Sequence, residues 1–320
     1  MLYKRHIVTS SKAARKRNCM VYNELTALIK AESKKDESDF EKATNRIKDA
    51  LFSLNKAQLL PLVKEIGAIP ENIDHDSTEE KLYAKTTDII LAKCFHELGF
   101  HADITKERAN CADIIVKSPI HGYTLVGDAK AFRLSRTAKN QKDFKVKSMV
   151  DWRGDNNYAV LVCPYYQYPK SNSQIYGQAL DGNICLLGWE HFAYFLEYNV
   201  QETRKLNLSF VWNLSAELSK SITISNKNRN DSFHVLGNAA ICKHLGINPD
   251  TLIDYLHQSK QIVILRGENE IEYWKGIITR ILQYTKEQAI TELISALKIN
   301  EKISAISKYI KRLKATSVHE

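Results

Sequence analysis

The chain has 320 residues, 44% of them hydrophobic, with only 12 glycines and 6 prolines, which excludes a disordered or collagen-like polymer and allows a sizeable core. A net charge of +9 points to an anionic partner; nucleic acid, a membrane surface and an acidic protein all satisfy that charge. The six cysteines stand singly with no CxxC pair, several inside apolar runs, which argues against a disulfide framework or a structural zinc site and for reduced thiols in a cytoplasmic protein.

Residues 1–20 carry Lys4, Arg5, Lys12, Arg15, Lys16 and Arg17 with no apolar stretch behind them, so they read as a basic, poorly ordered arm and not as a secretory signal. No apolar run is long enough to span a membrane. Residues 21–320 read as one domain: helical over 21–99, a sheet core over 100–200, and mostly helical over 201–320. In the first stretch Leu25, Leu28 and Ile29 recur at helical spacing, as do Phe40, Ala43, Ile47 and Leu51. Pro61 is expected near a helix start. Ser77-Thr-Glu-Glu80 has the form of a helix entry, and that helix should run through Ile89, Ile90 and Phe95 until Gly99 ends it.

The period then changes. Ala112–Lys117, Tyr123–Asp128, Tyr158–Cys163 and Asn183–Gly188 are short β-branched or aromatic runs bounded by turn residues, with helices expected over 138–152 and 171–180. This order predicts an α/β fold, a mixed central sheet flanked by helices. Beyond Glu202 the helical pattern returns over Ile271–Tyr284, Glu287–Leu297 and Ile303–Leu313, and Asn226–Asp231 is the expected loop.

Two acids punctuate the sheet region. Asp113 heads one run and Asp128 closes the next, placed symmetrically about the turn residues Ser118-Pro-Ile-His-Gly122. If the runs pair as an antiparallel hairpin, both aspartates meet at its open end. Lys130 is two residues past Asp128 and shares its face on an extended chain. Two carboxylates and an ammonium suit Mg²⁺ and phosphodiester cleavage. A solvated salt bridge at a strand end explains the same residues, and acid-x-Lys also occurs at Glu32, Glu79 and Asp143. The following segment repeats positive charge at Lys130, Arg133, Arg136, Lys139, Lys142 and Lys145, with Asn140 and Gln141 among them. Such side chains neutralise phosphates and pair with base edges, which favours DNA over a merely solvated helix face. Tyr165–Lys170 can contact a DNA backbone or pack on the sheet, and Trp152 and Trp189 read as core.

The stretch Ala131-Phe-Arg-Leu-Ser-Arg-Thr-Ala-Lys-Asn-Gln-Lys-Asp-Phe-Lys-Val-Lys147 resembles the HindIII family of type II restriction endonucleases nearly letter for letter, and Ser77–Leu82, Asp88–Lys93, Tyr158–Leu161 and Glu272–Lys275 agree with it. The resemblance implies a PD-(D/E)XK nuclease, although Ala112 stands where the motif has its proline. It further implies a homodimer that cuts duplex DNA with Mg²⁺ at a short palindrome, AAGCTT or similar, leaving 5′ overhangs. By position, Asp113, Asp128 and the Ala129 carbonyl would hold the metal and Lys130 would be the catalytic lysine. Glu80 would be the third acid, with a helix-cap role as its alternative. Asn140-Gln141-Lys142-Asp143 would read the bases beside Arg133, Arg136 and Lys139. A cognate DNA methyltransferase is expected in the same restriction-modification system, without a stable complex. A repair or junction-resolving nuclease of the same fold is the alternative reading, followed by a non-catalytic DNA-binding protein.

Overall fold

The computed structural model describes residues 12–35, 40–105, 111–136 and 141–315; for 12–21 and 312–315 it describes the backbone alone. The chain divides into two compact units, one running to Gly267 and the other beginning at Glu268.

Four helices open the first unit: α1 (Lys12–Ser33), α2 (Phe40–Phe52), α3 (Lys56–Glu65) and α4 (Thr78–Glu97). Residues 12–20, read from sequence as arm, are already helix; Ala13, Ala14, Arg15, Lys16 and Arg17 are good helix formers. Residues 1–11 lie outside the described residues. α2 buries Ala43, Ile47 and Leu51, one face at helical spacing. Pro61 lies inside α3 and not at its start, which is set by a capping box between Asn55 and Gln58. α4 starts where expected, with Ser77 Oγ accepting from Glu80 N at 3.0 Å. Gly99 stops it in a left-handed conformation, φ +92°, that favours glycine. Between Leu82 and Phe95 α4 is buried on nearly every side, which makes it the central helix.

Strands β1 (Ala68–Ile69), β2 (His101–Ile104), β3 (Ile114–Lys117), β4 (Thr124–Ala129), β5 (Phe132–Arg133), β6 (Tyr158–Cys163) and β7 (Ile184–Gly188) form two sheets. The main one runs β2-β3-β4-β6-β7, antiparallel through β4 and parallel beyond it, so the expected mixed sheet is present. β3 alternates buried and exposed, whereas β6 and β7 are buried almost throughout, the pattern of strands covered on both faces. The short β1 and β5 pair in parallel beside it.

Helices α5 (Gln141–Phe144), α6 (Val146–Arg153), α7 (Gln174–Gly182) and α8 (Trp189–Glu197) supply cover, α6 packing with α7 and α8 with α3 and α4. The helix expected over 138–152 breaks at Lys145, whose φ of +50° belongs to neither α5 nor α6. Helices α9 (Ser209–Trp212), α10 (Leu214–Leu218), α11 (Asn230–Leu245) and α12 (Pro249–Ile281) follow. The loop expected over Asn226–Asp231 ends earlier, because α11 already starts at Asn230. The second unit holds the end of α12 with α13 (Lys286–Ala296) and α14 (Ile299–Ala315). Cys94, Cys163, Cys185 and Cys242 are buried thiols, and no described helix is long and apolar enough to cross a membrane.

Candidate active site

β3 and β4 form the predicted hairpin in the predicted register. Ile114 opposes Gly127, Lys117 opposes Thr124, and Asp113 N donates to Gly127 O at 3.1 Å. Asp113 therefore arrives beside Asp128, close enough for each carboxyl to shift the other's pKa. The turn end is pinned by the buried Glu202 carboxylate, which accepts from Ser118 Oγ at 2.6 Å, Tyr123 OH at 3.0 Å and Leu208 N at 2.7 Å.

The helix α4 brings a third acid. Gly127 leaves the sheet without a side chain at that point: a Cβ there would lie 2.8 Å from Ile114 Cγ1 and 3.5 Å from Leu91 Cδ2. α4 can thus come close to β4, and Asp88, three residues before Leu91, lies on the same helical face. Asp88 is buried and feels the charges of both Asp128 and Lys130. Its own neighbour is Lys85, whose Nζ lies 3.4 Å from Asp88 Oδ2.

Lys130 forms an ion pair with Asp128 Oδ2. Its backbone is held on both sides, Lys130 N donating to Val162 O at 2.8 Å and Trp189 Nε1 donating to Lys130 O at 2.9 Å. Trp189 reaches that carbonyl past Gly67, where a side chain would strike the indole at 2.9 Å.

Burial dominates the electrostatics. It pushes the Asp88 and Asp128 carboxyls up to about 7, against the opposing pull of Lys85 and Lys130, and raises Asp113 as well. For Lys130 burial acts downward, but the Asp128 and Asp113 carboxylates more than offset it and hold the ammonium above its ordinary range. Asp88, Asp113, Lys85 and Lys130 line a cleft of about 1170 Å³, open to solvent and bounded also by Lys81, Thr105, Ala129 and Ala131, while Asp128 is buried against Lys130.

A family model described as HindIII restriction endonuclease matches residues 23–310. The chain belongs to that family. The type II restriction enzyme HindIII of Haemophilus influenzae is 40% identical to it over 87% of this chain and 92% of its own. This HindIII-family chain is accordingly a type II restriction endonuclease, a site-specific deoxyribonuclease, and its substrate is DNA. Among solved structures, restriction endonuclease FokI matches 55% of the chain at 12% identity with a TM-score of 0.32, and the chain spans about a third (32%) of FokI's length.

In this HindIII-family fold the residues singled out from sequence separate into groups. Asp113, Ala129 and Lys130 line the cleft, and Asp128 is buried beside them, paired with Lys130. Glu80 does not join them: its Oε1 accepts from Arg133 Nη2 at 2.7 Å and its Oε2 from Asp76 N at 2.8 Å. Those bonds overcome the effect of burial and keep its pKa lowered. Arg133 is itself buried, donating also to Pro70 O at 2.9 Å, and so faces the protein. Arg136 and Asp143 bind each other at 2.6 Å at the surface, and Gln141 and Lys142 are exposed at the start of α5. Lys139 and Asn140 lie outside the described residues. The aromatic loop is packed: Tyr168 OH donates to Leu161 O and Leu187 O. Asp88 was missed by sequence reading, yet a signal was there, an acid opening the apolar run Ile89-Ile-Leu-Ala92.

Proposed function

We propose that the chain cuts both strands of duplex DNA at a short palindrome, AAGCTT or similar, as a Mg²⁺-dependent homodimer leaving 5′-phosphate ends and 5′ overhangs. The observation that carries this is the convergence of Asp88, Asp113 and Lys130 on one cleft of a restriction-endonuclease chain, with Asp128 buried against Lys130. Asp88 and Asp128 are buried and Asp113 half-buried; burial and mutual repulsion raise all three carboxyls, a donor set of hard oxygens whose crowding a divalent cation relieves. Asp113, Asp128 and the Ala129 carbonyl would hold the ion, with Asp88 in place of Glu80 as the third acid. When bound, Mg²⁺ supplies positive charge at the scissile phosphate and a more acidic water.

The protein's own groups do the rest. Lys130, anchored by its backbone and steered by Asp128, donates to the phosphate and offsets the charge that grows in the transition state. Asp113 and Asp128 orient whatever they bind through the rigid hairpin behind them. Lys139, Asn140, Gln141 and Lys142 read and neutralise the DNA, while the Arg136–Asp143 pair shapes that segment and Arg133 braces it from beneath. A methyltransferase of matching specificity would protect the host DNA without binding the nuclease stably. Residues 21–320 would together form the endonuclease, with the nuclease centre in the first unit.

The test is Asp128→Asn. Losing a ligand worth several kcal/mol of transition-state stabilisation should cut plasmid cleavage by roughly a thousandfold while a gel shift still reports DNA binding. Retained cleavage would overturn the assignment. Sequencing the ends from the natural chain separates a defined palindrome from the structure-dependent cuts of a repair or junction-resolving nuclease.

A further inference from the structure

Beyond Gly267 the helices carry large apolar side chains that stand exposed among the described residues. Ile271, Trp274, Ile278 and Ile281 of α12 are 55%, 46%, 58% and 51% exposed. On α14, Ile299, Ile303, Ile306 and Ile310 are exposed likewise. Steps of three and four residues gather each set into a narrow stripe, the pattern of a helix that packs on another helix. From Ile271 to Ile310 the exposed large apolar side chains number fourteen. Summed over α12, α13 and α14 they present on the order of 1,000 Å², comparable with the ~800 Å² each partner contributes to a standard interface, and the α12 stripe supplies one part of it.

We infer that this α12 stripe is where two copies of the chain meet, α12 lying antiparallel against the partner's α12. The inference rests on the homodimer reading above. Two identical helices related by a two-fold axis form a self-complementary contact, so a residue that faces a given position is faced by it in turn. With Ile271 seated against the partner's Trp274, the axis passes between residues 272 and 273. Glu268 then flanks the seam beside the partner's Lys275, and Lys275 beside the partner's Glu268, so one attraction is made twice. Both side chains are exposed; Lys275 Nζ lies 2.8 Å from Glu272 Oε1 of its own helix, a surface pair weak enough to be shared with a partner's Glu268. A parallel pairing would instead set Trp274 against Trp274 in one layer, where two indoles exceed the space that two isoleucines leave in the next. The occupant is a second copy and not DNA, because the stripe offers isoleucine and tryptophan where phosphates would need cations.

The pattern sets the experiment. Sedimentation of the full chain without DNA, over a range of concentrations, gives the dimer dissociation constant. E268K and K275E should each raise it about tenfold, since each places like charges together twice. The double variant E268K/K275E should return it to within about threefold of the natural value. W274E should raise it at least about a hundredfold by burying a charge in the seam. If W274E loses helicity by circular dichroism, the charge-swap series alone decides. Single variants that sediment like the natural chain, a double variant weaker than either single, or a natural chain monomeric throughout would each overturn the inference. So would variants that weaken DNA binding but leave the mass unchanged. Mass is the readout throughout, so an Asp128→Asn chain, which keeps the stripe, still dimerises even if the cleavage reading fails.

Discussion

Asp88 and Glu80 sit on the same helix about two turns apart, yet their surroundings assign them different work. Glu80 neutralises Arg133, a buried guanidinium with one other oriented partner, Pro70 O. Asp88 faces the two hairpin aspartates through their shared field. Asp88→Asn should therefore slow single-turnover cleavage by about a hundredfold with little change in melting temperature. Glu80→Gln should do the reverse, costing about 3 kcal/mol of stability by stranding Arg133, with the cleavage rate of the folded enzyme nearly intact. Sequence alone could not separate the two, because Arg133 and Glu80 are far apart in the chain and a buried acid looks no different from a surface one. A second residue-scale prediction concerns His191 and His234. Burial pushes their pKa values down from 6.5 to about 4 and about 3, and His234 Nε2 has no hydrogen-bond partner among the described residues. Above 6.5 both are neutral whether folded or not and add no pH dependence. As the pH falls below 6.5 only the unfolded chain takes up the protons, so stability is lost by about 1.4 kcal/mol per pH unit for each histidine. The buried Asp88 and Asp128, with raised pKa values, act in the opposite sense, weakening the fold as pH rises toward 7. Comparing urea unfolding of the natural chain and His234→Phe at pH 7 and pH 5 isolates the histidine; equal slopes would remove it from this role.

Among the elements, the hairpin was the most legible in the sequence. Its two apolar runs flank a turn cluster, and strand pairing is local, so symmetry about the turn sets which residues meet. The parallel partners β6 and β7 were equally plain as short apolar runs. The strand β2 was not, since His101-Ala-Asp-Ile104 alternates only weakly and pairs as an edge. The seating of α4 on the hairpin was hidden too, because it depends on Gly127, and a glycine in a strand announces a close approach without naming what approaches. Gly127→Ala tests that seating. The new methyl would press on Ile114 and Leu91, costing about 1–3 kcal/mol and shifting Asp113 and Asp88 away from Asp128. Melting temperature and cleavage rate should fall together, and adding Ile114→Val should recover part of both. Independent behaviour of the two measurements would show that α4 and the hairpin are not coupled there.

For the whole molecule, charge and composition narrowed the partner to an anion, and only the long match in the Ala131–Lys147 segment narrowed it to specific DNA. Residue pattern cannot show assembly, because a helix stripe exposed in one copy reads in sequence like any amphipathic helix. With one centre per copy, each half of a dimer should cut one strand. Natural chain mixed and refolded with excess Asp128→Asn chain should therefore nick supercoiled plasmid to open circles, with few linear products on an agarose gel. Linear product as the first species would mean that one centre cuts both strands. The bond from Trp189 to the Lys130 carbonyl has a further, optical consequence. Indole emission responds to the N–H bond and to nearby charge, so a chain keeping Trp189 as its sole tryptophan carries a lamp wired to the cleavage centre. Titrating Mg²⁺ or Ca²⁺ into that chain should shift its emission before any DNA is added, and the same titration of its Asp128→Asn version should leave the spectrum dark to the ion.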